Sequence, residues 1–361
     1  MTFLIDLIVG ARPNFMKVAP IIRALEGHNR LRYRLVHTGQ HYDTRMSGSF
    51  FDQLGIPAPD VNLEVGSGSH AQQTAAIMVK YEGLLLESRS SACVVFGDVN
   101  STMACAIVAQ KLGIPVAHVE AGIRSGDWSM PEEINRLVTD AISNWFFTTS
   151  ELASENLRRA GAADDRIHFV GNTMIDTLLV NLDRLRPPGF AANMALRSNE
   201  YLVLTLHRPS NVDDPANLET ILRTVAAGAQ GRPVVFPVHP RTANTIRALS
   251  GLPSEIVVVD PQPYLEFNWL VQNAKAVVTD SGGITEEATV LGVPCMTIRT
   301  TTERPETVTI GTNELIGTDP AALARALVHL FEGKWKAGGI PDKWDGKAAI
   351  RIIEALDRHF A

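Results

Sequence analysis

Residues 276–288 read Ala276-Val277-Val278-Thr279-Asp280-Ser281-Gly282-Gly283-Ile284-Thr285-Glu286-Glu287-Ala288. A short apolar strand runs into a serine and two glycines, and a helical pattern starts at once. Such a junction leaves the first N–H groups of the helix without intrahelical partners and aims the positive end of its dipole beyond the strand. An anion binds readily there. Glu287, expected in the first turn of the helix, is placed to accept hydrogen bonds from sugar hydroxyls. The segment therefore predicts a seat for a sugar phosphate or nucleotide sugar. The plain alternative is an ordinary strand-to-helix turn whose glycines serve tight packing.

The same alternation extends in both directions. Upstream, strands are predicted at Phe3 to Val9, Tyr33 to His37, Ala92 to Phe96 and Val116 to Glu120, with helices at about Phe15 to Leu25, His70 to Leu86 and Thr102 to Leu112 between them. A helix from about Glu133 to Ser143 and strands Trp145 to Thr148 and Ile167 to Val170 follow. The punctuation Arg186-Pro187-Pro188-Gly189 marks a loop near a domain junction. Alternation restarts with strands Tyr201 to Thr205, Val234 to Val238, Ile256 to Val259, Ala276 to Thr279 and Cys295 to Ile298. Nearly continuous apolar strands separated by helices predict parallel sheets covered on both faces. The expected fold class is α/β, with two doubly wound, Rossmann-like domains over 1–172 and 173–343. A last amphipathic helix, within 344–361, is expected to cross back to the first domain.

A length of 361 residues suits two domains better than one, and two domains imply a cleft. Hydrophobic content of 45% and charged content of 20% describe a globular chain without disorder. The net charge of -6 and the lack of a basic tract argue against a nucleic-acid surface. No apolar run approaches the roughly 18 residues of a membrane span. Cys93, Cys105 and Cys295 lie in apolar or helical stretches without Cys-x-x-Cys spacing, as buried reduced thiols do. An odd cysteine count in a chain that opens directly on a strand predicts a cytoplasmic protein.

Ligands of open parallel sheets sit beyond the carboxyl ends of the strands, and the chemically informative residues cluster there. Gly10-Ala11-Arg12-Pro13-Asn14-Phe15-Met16-Lys17 places Arg12 and Lys17 at a helix start, where they meet phosphate oxygens or act as solvated caps. Asp98 follows one strand, Glu120 ends another, and Glu132 opens a helix in Pro131-Glu132-Glu133-Ile134-Asn135-Arg136. Carboxylates gathered without matching cations repel one another and hold protons more readily, which suits acid/base work. The alternatives are an N-cap for Asp98 and helix-dipole partners for Glu132 and Glu133. A metal held by Asp98, His118 and Glu120 lacks a supporting ligand spacing, so no metal or other cofactor is expected. His207 and His239 each stand just past a strand, where a pair of histidines favours function over a structural role. Arg304 either neutralises phosphate or pairs with Glu303. Phe267 is a core residue of its helix or a platform for a base.

Taken in order, Gly10-Ala11-Arg12-Pro13 with Lys17, Gly97-Asp98, His118-Val119-Glu120-Ala121-Gly122-Ile123-Arg124, Pro131-Glu132-Glu133 with Asn135-Arg136, Gly171-Asn172-Thr173, Asp260-Pro261-Gln262, Thr279-Asp280-Ser281-Gly282-Gly283, Glu286-Glu287 and Thr302-Glu303-Arg304-Pro305-Glu306 closely resemble the non-hydrolysing UDP-N-acetylglucosamine 2-epimerases. The resemblance spans about residues 4–316. It implies a GT-B arrangement, a homodimer, no cofactor, and interconversion of UDP-GlcNAc and UDP-ManNAc. It further implies that Arg12, Ser281, Gly282 and Gly283 hold the diphosphate with Lys17 and Arg304, and that Arg136 and His239 belong to the substrate site. Gln262 and Phe267 would meet the uracil and Glu287 the ribose, while Asp98, Glu120, Glu132 and His207 would be catalytic. Two departures qualify the match. Leu206-His207-Arg208-Pro209-Ser210 replaces the family's Gly-His-Arg-Arg-Glu, and Gln40-His41-Tyr42 lacks the arginine linked to an activating second UDP-GlcNAc site. Thr38 to Asp43 and Phe50 to Pro57 resemble relatives acting on UDP-2,3-diacetamido uronic acids.

Overall fold

The computed structural model of the protein describes residues 2–39, 51–238, 240–249 and 251–360, and the chain divides into two compact units. The first comprises Met1–Val180 and Asp342–Ala361, the second Asn181–Pro341. In the first, β1 (Phe3–Val9), β2 (Leu31–His37), β3 (Val61–Asn62), β4 (Ala92–Phe96), β5 (Val116–Val119), β6 (Trp145–Thr148) and β7 (Ile167–Phe169) form a parallel sheet in the order β3-β2-β1-β4-β5-β6-β7. Helices α1 (Arg12–Leu25), α2 (His70–Glu87), α3 (Asn100–Lys111), α4 (Pro131–Ile142), α5 (Glu151–Arg159) and α6 (Thr173–Asn181) follow the strands. Every residue of β4 is buried, so the sheet must be covered on both faces.

The C-terminal helix, Ala348–His359, returns to this first unit and packs against α1. Its stripe of Ile352, Ile353 and Leu356 is buried, and each such side chain stabilises by about 1.5–3 kcal/mol. Its entry is fixed by Asp176 of α6, which accepts the N–H groups of Ala348 at 3.1 Å and Ala349 at 2.7 Å. Trp344 donates its indole N–H to the Thr149 carbonyl just before the helix.

The second unit repeats the plan. Strands β8 (Leu202–Thr205), β9 (Val234–Pro237), β10 (Ile256–Val259), β11 (Ala276–Thr279), β12 (Cys295–Thr297) and β13 (Asn313–Leu315) run parallel in the order β10-β9-β8-β11-β12-β13. Its principal helices are α7 (Pro215–Gly228), α8 (Pro240–Arg247), α9 (Tyr264–Asn273), α10 (Gly282–Val290), α11 (Pro305–Thr309) and α12 (Pro320–Phe331). One core holds Leu204, Phe236 and Leu327, a second Val203, Val235 and Leu270. Alternate residues of one strand therefore feed opposite faces. The pair β13 and α12 lies beyond the predicted elements. Its signal is present nonetheless: Asp319 caps Ala321 and Ala322 ahead of Pro320, and Leu323, Leu327 and Leu330 form the buried stripe.

Chain order reverses direction in each sheet, between β1 and β4 and between β8 and β11. These are the topological switch points, where strand ends part and loops open a crevice. The four segments leaving those strands are Gly10-Ala11, Gly97-Asp98, Leu206-His207 and Asp280-Ser281. All carry predicted site residues or their immediate neighbours.

Candidate functional site

In the first unit, β5 ends at Val119, one residue short of the prediction, because Glu120 leaves the strand with φ +75°. A non-glycine residue there is uncommon and costs about 1–3 kcal/mol. The turn is held by N–H donation from Glu120 and Ala121 to the Phe147 carbonyl, at 2.9 and 3.1 Å. Glu120 forms a salt bridge with Lys17 of α1, both side chains largely buried. The pair lies against Gly97, whose φ is +62°, and a Cβ on that glycine would stand 2.7 Å from Lys17 Nζ and 3.1 Å from Glu120 Oε2. Asn14 ties the first turn down, accepting from the N–H groups of Gly10 and Ala11 and donating to the Phe96 carbonyl.

Asp98 is not a helix cap, since Val99 is the N-cap of α3. Its carboxylate meets Arg136 of α4 at 2.5 Å, and Asn135 donates to its carbonyl at 2.8 Å. Arg136 also holds Glu133 at 2.7 Å. Burial works against the Glu133 carboxylate, yet N–H groups of Ser125 and Gly126, the Ser125 hydroxyl and Arg136 hold it below the usual carboxylate range. Glu132 and Glu133 both sit in the first turn of α4, which opens two residues earlier than predicted because Pro131 suits a first helical position. The premise that the carboxylates lack matching cations is corrected for Asp98 and Glu120. Glu120 has Lys17, and Asp98 and Glu133 share Arg136.

In the second unit, Asp280 is the organising residue. Fully buried, it accepts from the His207 N–H at 3.1 Å, the Arg208 N–H at 2.9 Å and Asn211 Nδ2 at 3.0 Å, and its Oδ1 is 2.8 Å from His207 Nδ1. Burial alone would push its carboxyl up, but His207 and these donors hold it below its ordinary value. His207 is thereby oriented while its side chain stays 43% exposed. The Ser281 N–H is taken by Thr279 Oγ1, and α10 begins at Gly282 with no side chain capping it. A Cβ at Gly282 would meet only Glu303 Oε2, at 3.8 Å. Packing within the unit therefore does not require glycine at that position.

Glu287 is buried and hydrogen bonded to Asn268 at 3.3 Å. It is the sixth residue of α10 and so belongs to the second turn, not the first as predicted. Arg304, 3% exposed, does not choose Glu303: it pairs with Glu286 at 2.5 Å. Glu303 is instead gripped by both Nη atoms of Arg299 at 2.7 and 2.8 Å, with Arg208 at 3.6 Å. Gln262 is half-buried, its amide donating to the Asp260 carbonyl, and Phe267 packs on the Val271 core. His239, the side chain of Arg12 and the Gln40-His41-Tyr42 segment lie outside the described residues.

Sequence reasoning passed over Asp280, Asn14, Arg208 and Arg299. Asp280 carried a signal, as a carboxylate directly after an apolar strand has few structural excuses. Arg208 carried none, because its role depends on Glu303 arriving from another loop, whereas Arg299 stands four residues before Glu303 and was simply not weighed. Among the described residues, no group of three or more His, Cys, Asp and Glu side chains is arranged to hold a metal, and no helix is long and apolar enough to cross a membrane.

A family model described as UDP-N-acetylglucosamine 2-epimerase matches residues 23–357. The chain is 40% identical to the UDP-N-acetylglucosamine 2-epimerase of Methanocaldococcus jannaschii over 98% of each chain. It is 42% identical to the UDP-2,3-diacetamido-2,3-dideoxy-D-glucuronate 2-epimerase of Pseudomonas aeruginosa, over 86% of this chain and 87% of that one. Its structure is similar to the crystal structure of the M. jannaschii enzyme in complex with UDP-GlcNAc and UDP, with a TM-score of 0.88 over 98% of this chain and 99% of that one.

Proposed function

Because the chain belongs to the UDP-N-acetylglucosamine 2-epimerase family, we propose that it inverts C2 of a UDP-2-acetamido sugar, converting UDP-GlcNAc to UDP-ManNAc without net hydrolysis. The C2 proton of such a sugar is not adjacent to a carbonyl, so direct removal to a free carbanion is too slow. Elimination avoids it: the C1–O bond to UDP breaks as C2–H is lost, giving 2-acetamidoglucal and UDP. UDP then re-adds to C1 while a proton is delivered to the opposite face of C2.

The observation that carries this reading is the match along nearly the whole chain at 40% identity, with polar groups at both switch points that suit the two halves of the chemistry. At β11, the half-buried start of α10 with Ser281, Gly282 and Gly283 binds the diphosphate, with Arg12, Lys17 and Arg304 adding positive charge. Such donors favour the departing UDP over the bonded ester. Gln262 and Phe267 meet the uracil and Glu287 the ribose, and Arg136 and His239 complete the substrate contacts. At β4 and β5, Asp98, Glu120 and Glu132, with His207 from β8, handle protons and support positive charge developing at C1.

A second reading, a UDP-2,3-diacetamido uronate 2-epimerase, is favoured by the 42% identity to the Pseudomonas enzyme. Incubation with each UDP-sugar in heavy water separates the two. The expected result is UDP-ManNAc carrying one deuterium at C2. Exchange only into the diacetamido uronate selects the second reading, and exchange into neither overturns both. The proposal extends to a cytoplasmic homodimer, for which light scattering should return twice the chain mass.

A further inference from the structure

His118 lies in the middle of β5, fully buried, between β4 and β6. Its two ring nitrogens have different partners. Nδ1 is 2.7 Å from Asp140 Oδ1, and Nε2 is 2.8 Å from the Gly97 carbonyl oxygen. A carbonyl only accepts, and the Asp140 carboxyl is held below its ordinary value: burial opposes this, while His118 and Arg124 outweigh it. Nε2 therefore donates to Gly97. Asp140 is itself fastened by the Gly122 N–H at 3.1 Å and by Arg124 at 2.6 Å. One chain of contacts thus runs from α4 through His118 to the Gly97 carbonyl, and from the same carboxylate to the Gly122 backbone.

The two places it fastens flank the proposed acids. Gly97 precedes Asp98, and Gly122 follows the turn that carries Glu120 at φ +75°. Strained turns of this kind persist only where surrounding contacts over-determine them. Gly97 also abuts the Lys17–Glu120 pair, so a shift of its peptide moves both carboxylates relative to each other.

We propose that His118 is a positioning residue for C2 epimerisation: its Nε2–H holds the Gly97 carbonyl, with Asp140 as the anchor behind it, and so sets the separation of Asp98 and Glu120. His118 makes no contact with substrate in this role. The inference rests on the epimerase reading above. It predicts a loss in turnover, since a displacement of about 1 Å costs on the order of 100-fold in rate.

Two substitutions divide the ring's functions. Gln at 118 carries its amide N–H about where Nε2 stands and reaches the Gly97 carbonyl. Asn carries it about where Nδ1 stands and reaches Asp140 alone. For His118→Asn, kcat should fall about 100-fold with KM within about threefold, and His118→Gln should recover at least about tenfold of that loss. Melting temperatures are measured beside the kinetics. Equal losses in both variants, or folded His118→Asn with kcat within about twofold of the parent, would overturn the proposal. Nitrogen-15 NMR of the histidine-labelled parent protein provides a measurement independent of any variant's folding. A proton on Nε2 of His118 supports the proposal, and a neutral ring protonated only at Nδ1 refutes it. Absence of C2 exchange in the unmodified protein would instead indict the epimerase reading, which the NMR result does not depend on.

Discussion

Gly97→Ala separates stability from turnover. Gly97 has φ +62°, and an alanine in that region costs about 1–2 kcal/mol. Against this, loss of glycine's freedom in the unfolded chain returns about 0.4–1 kcal/mol. The new Cβ would stand 2.7 Å from Lys17 Nζ and 3.1 Å from Glu120 Oε2. Both atoms are ends of flexible side chains, so the pair swings aside at little further cost in stability. The net is about 1 kcal/mol, which for a unit of this size lowers the melting temperature by about 2–4 °C. Turnover behaves differently, because Glu120 cannot make room without leaving its place. A displacement of this size predicts kcat reduced on the order of 100-fold, with a smaller loss of UDP affinity, since Lys17, one of the cations assigned to the diphosphate, is displaced together with Glu120. Thermal melts, UDP titration calorimetry and C2 deuterium exchange on one preparation measure all three. A folded variant with full exchange would refute the placement of Glu120 in the reaction, whatever its melting temperature.

Two further outcomes follow from buried ions in the second unit. Arg304→Ala leaves the buried Glu286 carboxylate without its guanidinium, which should cost about 3–5 kcal/mol in urea unfolding of the full chain, whereas Arg304→Lys should lose less; equal stability of all three proteins would contradict the pairing. Asp280 has a folded pKa below its unfolded value, so the stability it contributes is present above the unfolded carboxylate value of about 3.9 and is lost as pH falls through the lower folded value. Asp280→Asn should accordingly be less stable at pH 7 and lose less stability on acidification than the parent, and an unchanged acid-unfolding profile would count against the depressed carboxyl.

Much of the candidate site was legible because its residues lie where strands end. Asp98, Glu120, His207 and Ser281 are each within two residues of a strand, and apolar runs of three to seven residues mark strands plainly. Boundaries blurred where local preference and tertiary contact disagree. Glu120 extends an apolar run and its N–H still reaches the Phe147 carbonyl of the neighbouring strand, yet its φ of +75° turns the chain out of the sheet. Glu287 was misplaced by a turn because the helix already begins at Gly282 and takes in the two glycines that were expected to precede it. Partner choice was least legible of all. Arg304 stands beside Glu303 in sequence and pairs with Glu286, because burial requires a carboxylate on the same side of the loop, and α10 supplies it.

The order of apolar runs, turns and helical stretches was enough to determine two parallel sheets, since each run must bury both faces and each helix must cross over to the next strand. It also located the chemistry at the carboxyl ends, for that is where loops in such sheets gather. Only the folded chain decided which charges meet. His118, Asp140, Arg136 and Asp280 acquire their roles from residues 16 to 73 positions away, and no local pattern encodes a hydrogen bond whose two ends are brought together by the sheet.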